Sequence, residues 1–130
     1  MRYAFAVVPR YAEVDQQGVV FFGHYLTWFD EAFTGFLADR GTPYPELIAS
    51  GLDVQIVHAE VDYRESVRWG DDVRIVVARE AVGTTSLTTT YAVHRTPDAA
   101  EPAVVGRLVH VCVGTDDWTK RPMPEALRGS

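Results

Sequence analysis

Cysteine is nearly absent: Cys112 is the only one in 130 residues. A lone thiol forms no intramolecular disulfide and supplies neither a Cys-x-x-Cys redox pair nor zinc-type cysteine spacing, so a reducing, cytoplasmic setting is expected. Positive charge is scarce too. Lys and Arg number 12 against 18 Asp and Glu, a net charge of −6, and no basic block could track a phosphate backbone, which argues against a nucleic-acid partner. Long apolar runs are missing as well. Nothing approaches the ~20 residues that span a bilayer. The opening "MRYAFAVVPR" is too short and too interrupted by arginine and proline for a signal peptide, so neither membrane insertion nor secretion is expected. There are no repeats and no low-complexity tract.

What is present is the composition of one folded domain, 1–130, with 47% hydrophobic and 23% charged residues and room for a single core. Residues 2–10 put Tyr3, Phe5 and Val7 on one face of a strand, and Pro9 marks its end as an edge or bend. Residues 24–40 read as a long helix: Tyr25, Phe29, Ala32 and Phe36 recur at helical spacing, and Leu26, Trp28, Phe33 and Leu37 widen the stripe beyond what a surface helix buries. Gly41 and Pro43 stop it. "GTPYPELIAS" suits a turn and a short helix.

The period then changes to two. Residues 54–64 alternate Val57, Ala59, Val61 and Tyr63 against Ile56, His58, Glu60 and Asp62, and "VRWGDD" turns the chain into a strand over 73–80. Residues 84–95, with Leu87, Tyr91 and Val93 on one face, and the almost continuously apolar 103–113 complete the set. One strand, a long buried helix and four consecutive strands imply an α+β fold in which a five-stranded antiparallel sheet curls around the helix. Residues 114–130, with mixed charge and prolines, read as a surface tail ending in a helical turn.

The candidate chemistry sits at the helix threshold, in "EVDQQGVVFFGHYLTWFDEAF". Carboxylates of ordinary acidity are ionised at neutral pH and can attack a carbonyl or take a proton from water. The N–H groups at a helix start lack intrahelical partners and carry the positive end of the dipole, so those of Phe22 and Gly23 could polarise a carbonyl oxygen. Asp15 and this helix start together hold both halves of an acyl-transfer site. The Asp15-x-x-Gly18 spacing also suits a capping aspartate and a turn glycine, and on spacing alone both readings stay open.

Read whole, "DQQGVVFFGHYLTWFDEA" resembles the 4-hydroxybenzoyl-CoA thioesterase family of the hotdog fold, whose members show Asp-x-x-Gly-[Val/Ile]-Val, aromatic residues and Tyr-x-x-Trp-x-[Asp/Glu] on a central helix. "YRESVRWGDDVRIVV", "GTTSLTTTY" and "RPMPEALR" extend the resemblance over nearly the whole chain. It implies a hotdog domain that hydrolyses an acyl-CoA or acyl-carrier-protein thioester, with Asp15 as nucleophile or general base and the N–H groups of Phe22 and Gly23 polarising the carbonyl. Gly18, Val19, His24 and Tyr25 stand around them in the motif as substrate contacts, and Asp30 matches an acidic helix position that in some members lies near the acyl group. The motif departs from many relatives in having Glu13, not aspartate, as its first acid.

Coenzyme A phosphates need cationic partners, for which Arg64 and Arg68, flanking a strand end, are the candidates. The resemblance also implies a homo-oligomer, a dimer or dimer of dimers, which would cover the edge strands a single sheet leaves bare. No cofactor is called for. His58, His94 and His110 fall in different strands without a carboxylate or cysteine at ligand spacing, so no metal site is expected, and Cys112 reads as a packed thiol. The alternatives are a hydratase or dehydratase of acyl thioesters, whose Asp-x-Asn-Pro-x-His motif is missing, and a non-catalytic acyl-thioester binding protein.

Overall fold

The computed structural model describes residues 2–129. Strand β1 (Arg2–Val7) leads through a 3-10 turn (Tyr11–Glu13) to helix α1 (His24–Asp39), the short α2 (Tyr44–Ala49), strands β2 (Leu52–Tyr63), β3 (Val73–Val82), β4 (Ser86–His94) and β5 (Val104–Gly114), and a final turn of helix, α3 (Glu125–Arg128). All strand pairs are antiparallel, in the order β1-β3-β4-β5-β2. This is the hotdog architecture, a sheet wrapped on one long helix.

The wide apolar stripe of α1 explains why the sheet must curl. Trp28, Phe29, Ala32, Phe36 and Leu37 are fully buried against Ile75, Val77, Leu87, Tyr91, Val93 and Leu108. Such side chains contribute roughly 1.5–3 kcal/mol each on burial, so the helix cannot lie on a flat sheet with half its stripe in water. Phe29 stacks on Tyr91 with ring centroids 4.6 Å apart. Its ring lies over the backbone of β5 at Gly106, where any Cβ would collide with it. The strand has a glycine there because the helix comes that close.

Three expectations need correction. Leu26 does not join the core and is 45% exposed, because the curling sheet leaves that side of the first helical turns uncovered. Strands β2 and β3 do not form a hairpin: among the described residues β2 pairs only with β5, and residues 64–72 carry the chain from one edge of the sheet across to β3. The alternation read in β2 therefore buries little. A register shift between Ile56 and His58 interrupts its pairing with β5, and Ile56, Val57 and Tyr63 are all exposed along its length.

The expected surface tail is in fact anchored. Met123 and Leu127 are buried in the main core, and Arg79 on β3 donates from Nη1 to the carbonyls of Leu127 (3.0 Å) and Gly129 (2.6 Å). No helix among the described residues is long and apolar enough to cross a membrane.

Candidate active site

The motif before α1 folds as a small hairpin. Asp15 N–H donates to the Val19 carbonyl (2.9 Å), Gly18 N–H returns to the Asp15 carbonyl (3.0 Å), and Val14 bridges Val20. Gly18 closes the turn at φ +74°, a left-handed conformation that L side chains adopt only at a cost. The returning arm is held from its other side: Val19 bridges Arg68, Val20 N–H donates to Val67 (2.8 Å), and Trp69 N–H donates to Gly18 (3.0 Å). Residues 67–69 belong to the crossover between β2 and β3, so the corrected topology is what carries Arg68 to the Asp15 turn.

Asp15 uses one carboxylate oxygen to hold this turn. Its Oδ1 accepts from the backbone N–H of Gln17 (2.8 Å) and, more weakly, of Val19 (3.4 Å). Among the described residues Oδ2 has no protein partner, and the side chain is exposed. The turn-capping reading of Asp15 is therefore a structural fact, and it leaves the second oxygen free.

The hairpin delivers the chain to α1 with the helix start open. Gly23 is the N-cap residue, His24 the first helical residue, and among the described residues the N–H groups of Phe22 and Gly23 have no acceptor. Phe22 itself is 63% exposed, while its carbonyl accepts from the Tyr63 hydroxyl at 3.0 Å. Beside them lies a cavity of about 300 Å³ lined by Val20, Phe22, Tyr25, Tyr63, Arg64 and Ser66, with Glu65 at its rim. Tyr25 forms its floor, buried edge-on between Trp28 (5.4 Å) and Tyr63 (5.6 Å), and burial raises its hydroxyl above the usual phenol range. His24 is half-buried and meets the Phe21 ring edge-on at 5.7 Å.

The structure thus gathers Asp15, Gly18, Val19 and Arg68 at the hairpin turn, and Phe22, Gly23, His24, Tyr25 and Arg64 at the helix start. Asp30 is not among them. It lies further along α1, exposed, at a different cavity formed with α2, β2 and β5. Arg64 and Arg68 are both exposed, one on each part of the site.

Glu13 is a structural member of the site that its sequence position did not disclose. It is only 6% exposed, accepts from the Trp28 indole N–H at 2.8 Å, and takes three hydrogen bonds from Arg10: its backbone N–H, Nε and Nη2, at 2.9, 3.2 and 2.8 Å. Burial alone would raise its carboxyl, but the bonds from Arg10 and Trp28 outweigh that and hold it at about 2. Its own carbonyl accepts from Phe21 N–H at 2.9 Å. Glu13 therefore ties the hairpin to the second turn of α1. The available signals were Arg10 three residues earlier and an indole N–H on an apolar helix stripe, which needs a buried acceptor.

The fold defines the class first, a hotdog domain, here with a carboxylate-bearing turn leading into an open helix start. The chain belongs to the thioesterase-like superfamily, whose sequence profile matches residues 9–129. It is 27% identical over 128 residues to a 1,4-dihydroxy-2-naphthoyl-CoA hydrolase of Synechococcus elongatus, covering 97% of this chain and 92% of that one. A solved 1,4-dihydroxy-2-naphthoyl-CoA thioesterase from Synechocystis superposes with a TM-score of 0.87 at 20% identity, over 98% of this chain and 93% of that one. A solved gentisyl-coenzyme A thioesterase gives a TM-score of 0.82 at 24% identity, over 98% and 99%. At these identities the two structural likenesses speak for the fold.

Proposed function

We propose that the protein hydrolyses an acyl-CoA thioester to a free acid and coenzyme A, with Asp15 as the reacting carboxylate. The observation that carries the reading is the Asp15 turn, pinned by main-chain pairing in the hairpin that leads to a helix start whose N–H groups at Phe22 and Gly23 have no acceptor among the described residues. The naphthoyl-CoA hydrolase relative supports coenzyme A as the thiol half.

With the carbonyl oxygen on the Phe22 and Gly23 N–H groups, the developing oxyanion is met by donors already in position. Asp15 Oδ2 then acts in one of two ways. As general base it takes a proton from water while the water oxygen adds to the carbonyl carbon; as nucleophile it adds itself, giving a mixed anhydride that water opens. In both routes the carbon–sulfur bond breaks and the thiolate leaves and takes up a proton. Arg64 and Arg68 hold the coenzyme A phosphates. A homo-oligomer, dimer or dimer of dimers, covers the bare β2 edge.

The test is thiol release from benzoyl, phenylacetyl, short aliphatic and long-chain acyl-CoA esters, with an acyl-carrier-protein ester alongside. Release from at least one coenzyme A ester at a kcat/KM of ~10⁴ M⁻¹ s⁻¹ or more is expected. Release from none would refute the reading in favour of acyl-thioester binding.

A further inference from the structure

Arg95 directly follows β4 and does not line the cavity at the helix start, yet its guanidinium holds two carboxylates of the crossover that joins β2 to β3. Its Nε donates to Asp71 Oδ2 at 2.8 Å and its Nη2 to Asp71 Oδ1 at 3.3 Å, while Nη1 donates to Glu65 Oε1 at 2.8 Å. Asp71 is largely buried, with 14% of its side chain exposed, and Glu65 stands in the open. Burial alone would raise the Asp71 carboxyl, but the bonds from Arg95 and from the Arg68 N–H outweigh it and hold the carboxyl below the usual carboxylate range. The Arg95–Asp71 pair is forked and partly shielded from water, so it constrains direction as well as distance, which a fully exposed ion pair does not.

Glu65 and Asp71 bracket the segment that holds the Asp15 hairpin. Asp71 Oδ2 also accepts from the Arg68 N–H at 2.8 Å, and the Asp71 N–H donates to the Arg68 carbonyl at 3.1 Å, closing a turn in which Gly70 stands at φ +94°. At the other end the N–H groups of Arg64 and Glu65 both donate to the Ala103 carbonyl at 2.9 Å, just before β5. Between these fixed ends Val67 accepts from Val20, Arg68 bridges Val19, and Trp69 donates to Gly18. Val19 pairs with Asp15, and Val20 leads through Phe21 into the helix start. Any shift of the crossover is therefore a shift of Asp15 relative to the Phe22 and Gly23 N–H groups.

We propose that Arg95 is a positioning residue for hydrolysis: by clamping Asp71 and Glu65 it fixes the crossover, and through the crossover it fixes the Asp15 turn against the helix start. This rests on the thioesterase reading above. The effect falls on the rate of the bound ester, because Arg95 reaches the reacting groups only through the main chain of residues 67–69.

The experiment measures kcat and KM for the acyl-CoA ester that the wild type turns over best and for the N-acetylcysteamine thioester of the same acid. Arg95→Lys keeps the positive charge but loses the fork that reaches both carboxylates, and Asp71→Asn removes the charge at the centre of the clamp. Each should lower kcat by about 10-fold or more, alike for the two esters, with KM within about threefold of wild type. Arg79→Met, which frees the C-terminal turn from β3, is the control for lost stability: it should lower the melting temperature and leave kcat at the wild-type value. Wild-type kcat in folded Arg95→Lys overturns the proposal. So does a loss confined to KM for the coenzyme A ester, which makes Arg95 a phosphate contact, or an equal fall of kcat in Arg79→Met, which makes the effect one of general stability. Amide hydrogen exchange decides the case without turnover, and so independently of the thioesterase reading. The Val20 and Trp69 amides, bonded to Val67 and Gly18, should exchange at least about 10-fold faster in Arg95→Lys while those of β4 keep their protection. Unchanged exchange at Val20 and Trp69, or equal acceleration throughout the sheet, refutes the clamp.

Discussion

Replacing Glu13 by glutamine is expected to loosen the seat of the hairpin and to do so only where the carboxylate is charged. The carboxyl is held at about 2 against an ordinary 4.5. At ~1.4 kcal/mol per unit this corresponds to about 3 kcal/mol of stability, present above pH 4.5 and lost as the pH falls toward 2. Glutamine cannot substitute by turning its amide. Both carboxylate oxygens of Glu13 face donors, one the backbone N–H and Nε of Arg10, the other Arg10 Nη2 and the Trp28 indole, so the new NH₂ meets a donor either way. Arg10, with 62% of its side chain exposed, stays hydrated, so no orphaned charge adds to the loss. We expect Glu13→Gln to lower stability by about 2–3 kcal/mol at pH 7, roughly 10 °C in melting temperature for a domain of this size. Thermal unfolding of both proteins between pH 7 and pH 2.5 checks it. The gap should shrink steadily below pH 4.5, and a gap that stays constant across that range would refute the assignment of a charged, bonded Glu13.

Other outcomes follow from separate parts of the structure. Gly18→Ala meets no neighbour within 4 Å, yet its φ of +74° should cost about 1–2 kcal/mol through backbone strain alone, with Gly18→Asn costing less; equal melting temperatures for Ala and Gly would contradict the left-handed turn. Arg64→Ala and Arg68→Ala should each raise KM for an acyl-CoA severalfold at unchanged kcat, and leave the N-acetylcysteamine thioester of the same acid unaffected, since that analogue has no phosphates. Val57, 61% exposed on the bare strand, is replaceable by lysine without harm to the single chain; sedimentation at micromolar concentration should show an oligomer for the wild type and dissociation for Val57→Lys, and a 14.5 kDa wild-type species would sink the oligomer.

Much of this was legible in the chain because it is local. The stripe of α1 is a periodicity, and all four of Tyr25, Phe29, Ala32 and Phe36 are buried. The almost continuously apolar run of β5 marks a strand but not its inward face, which the structure gives as Val104, Gly106, Leu108, His110 and Cys112, all buried. Sheet order is not local. Nothing in the segment after β2 says that it crosses to the far side of the sheet, so β2 reads as one strand of a hairpin when it is an edge with its apolar residues in the open. The anchoring of Met123 and Leu127 depends on which surface the returning chain finds.

At the site the same division holds. Asp15, Gly18 and the helix start follow one another in sequence and could be recognised together. The Glu13–Trp28 bond joins residues a full helical turn and a hairpin apart, and Asp30 shares a helix with the site but faces another cavity, which the motif could not reveal.

Turnover of an acyl-CoA ester by Asp15→Asn is the most direct measurement. Asparagine keeps Oδ1, the acceptor for Gln17 and Val19, and replaces only the free oxygen, so the turn and the melting temperature should survive. Hydrolysis should fall by about 10²–10⁴-fold. A folded Asp15→Asn protein that releases thiol at the wild-type rate would contradict the account.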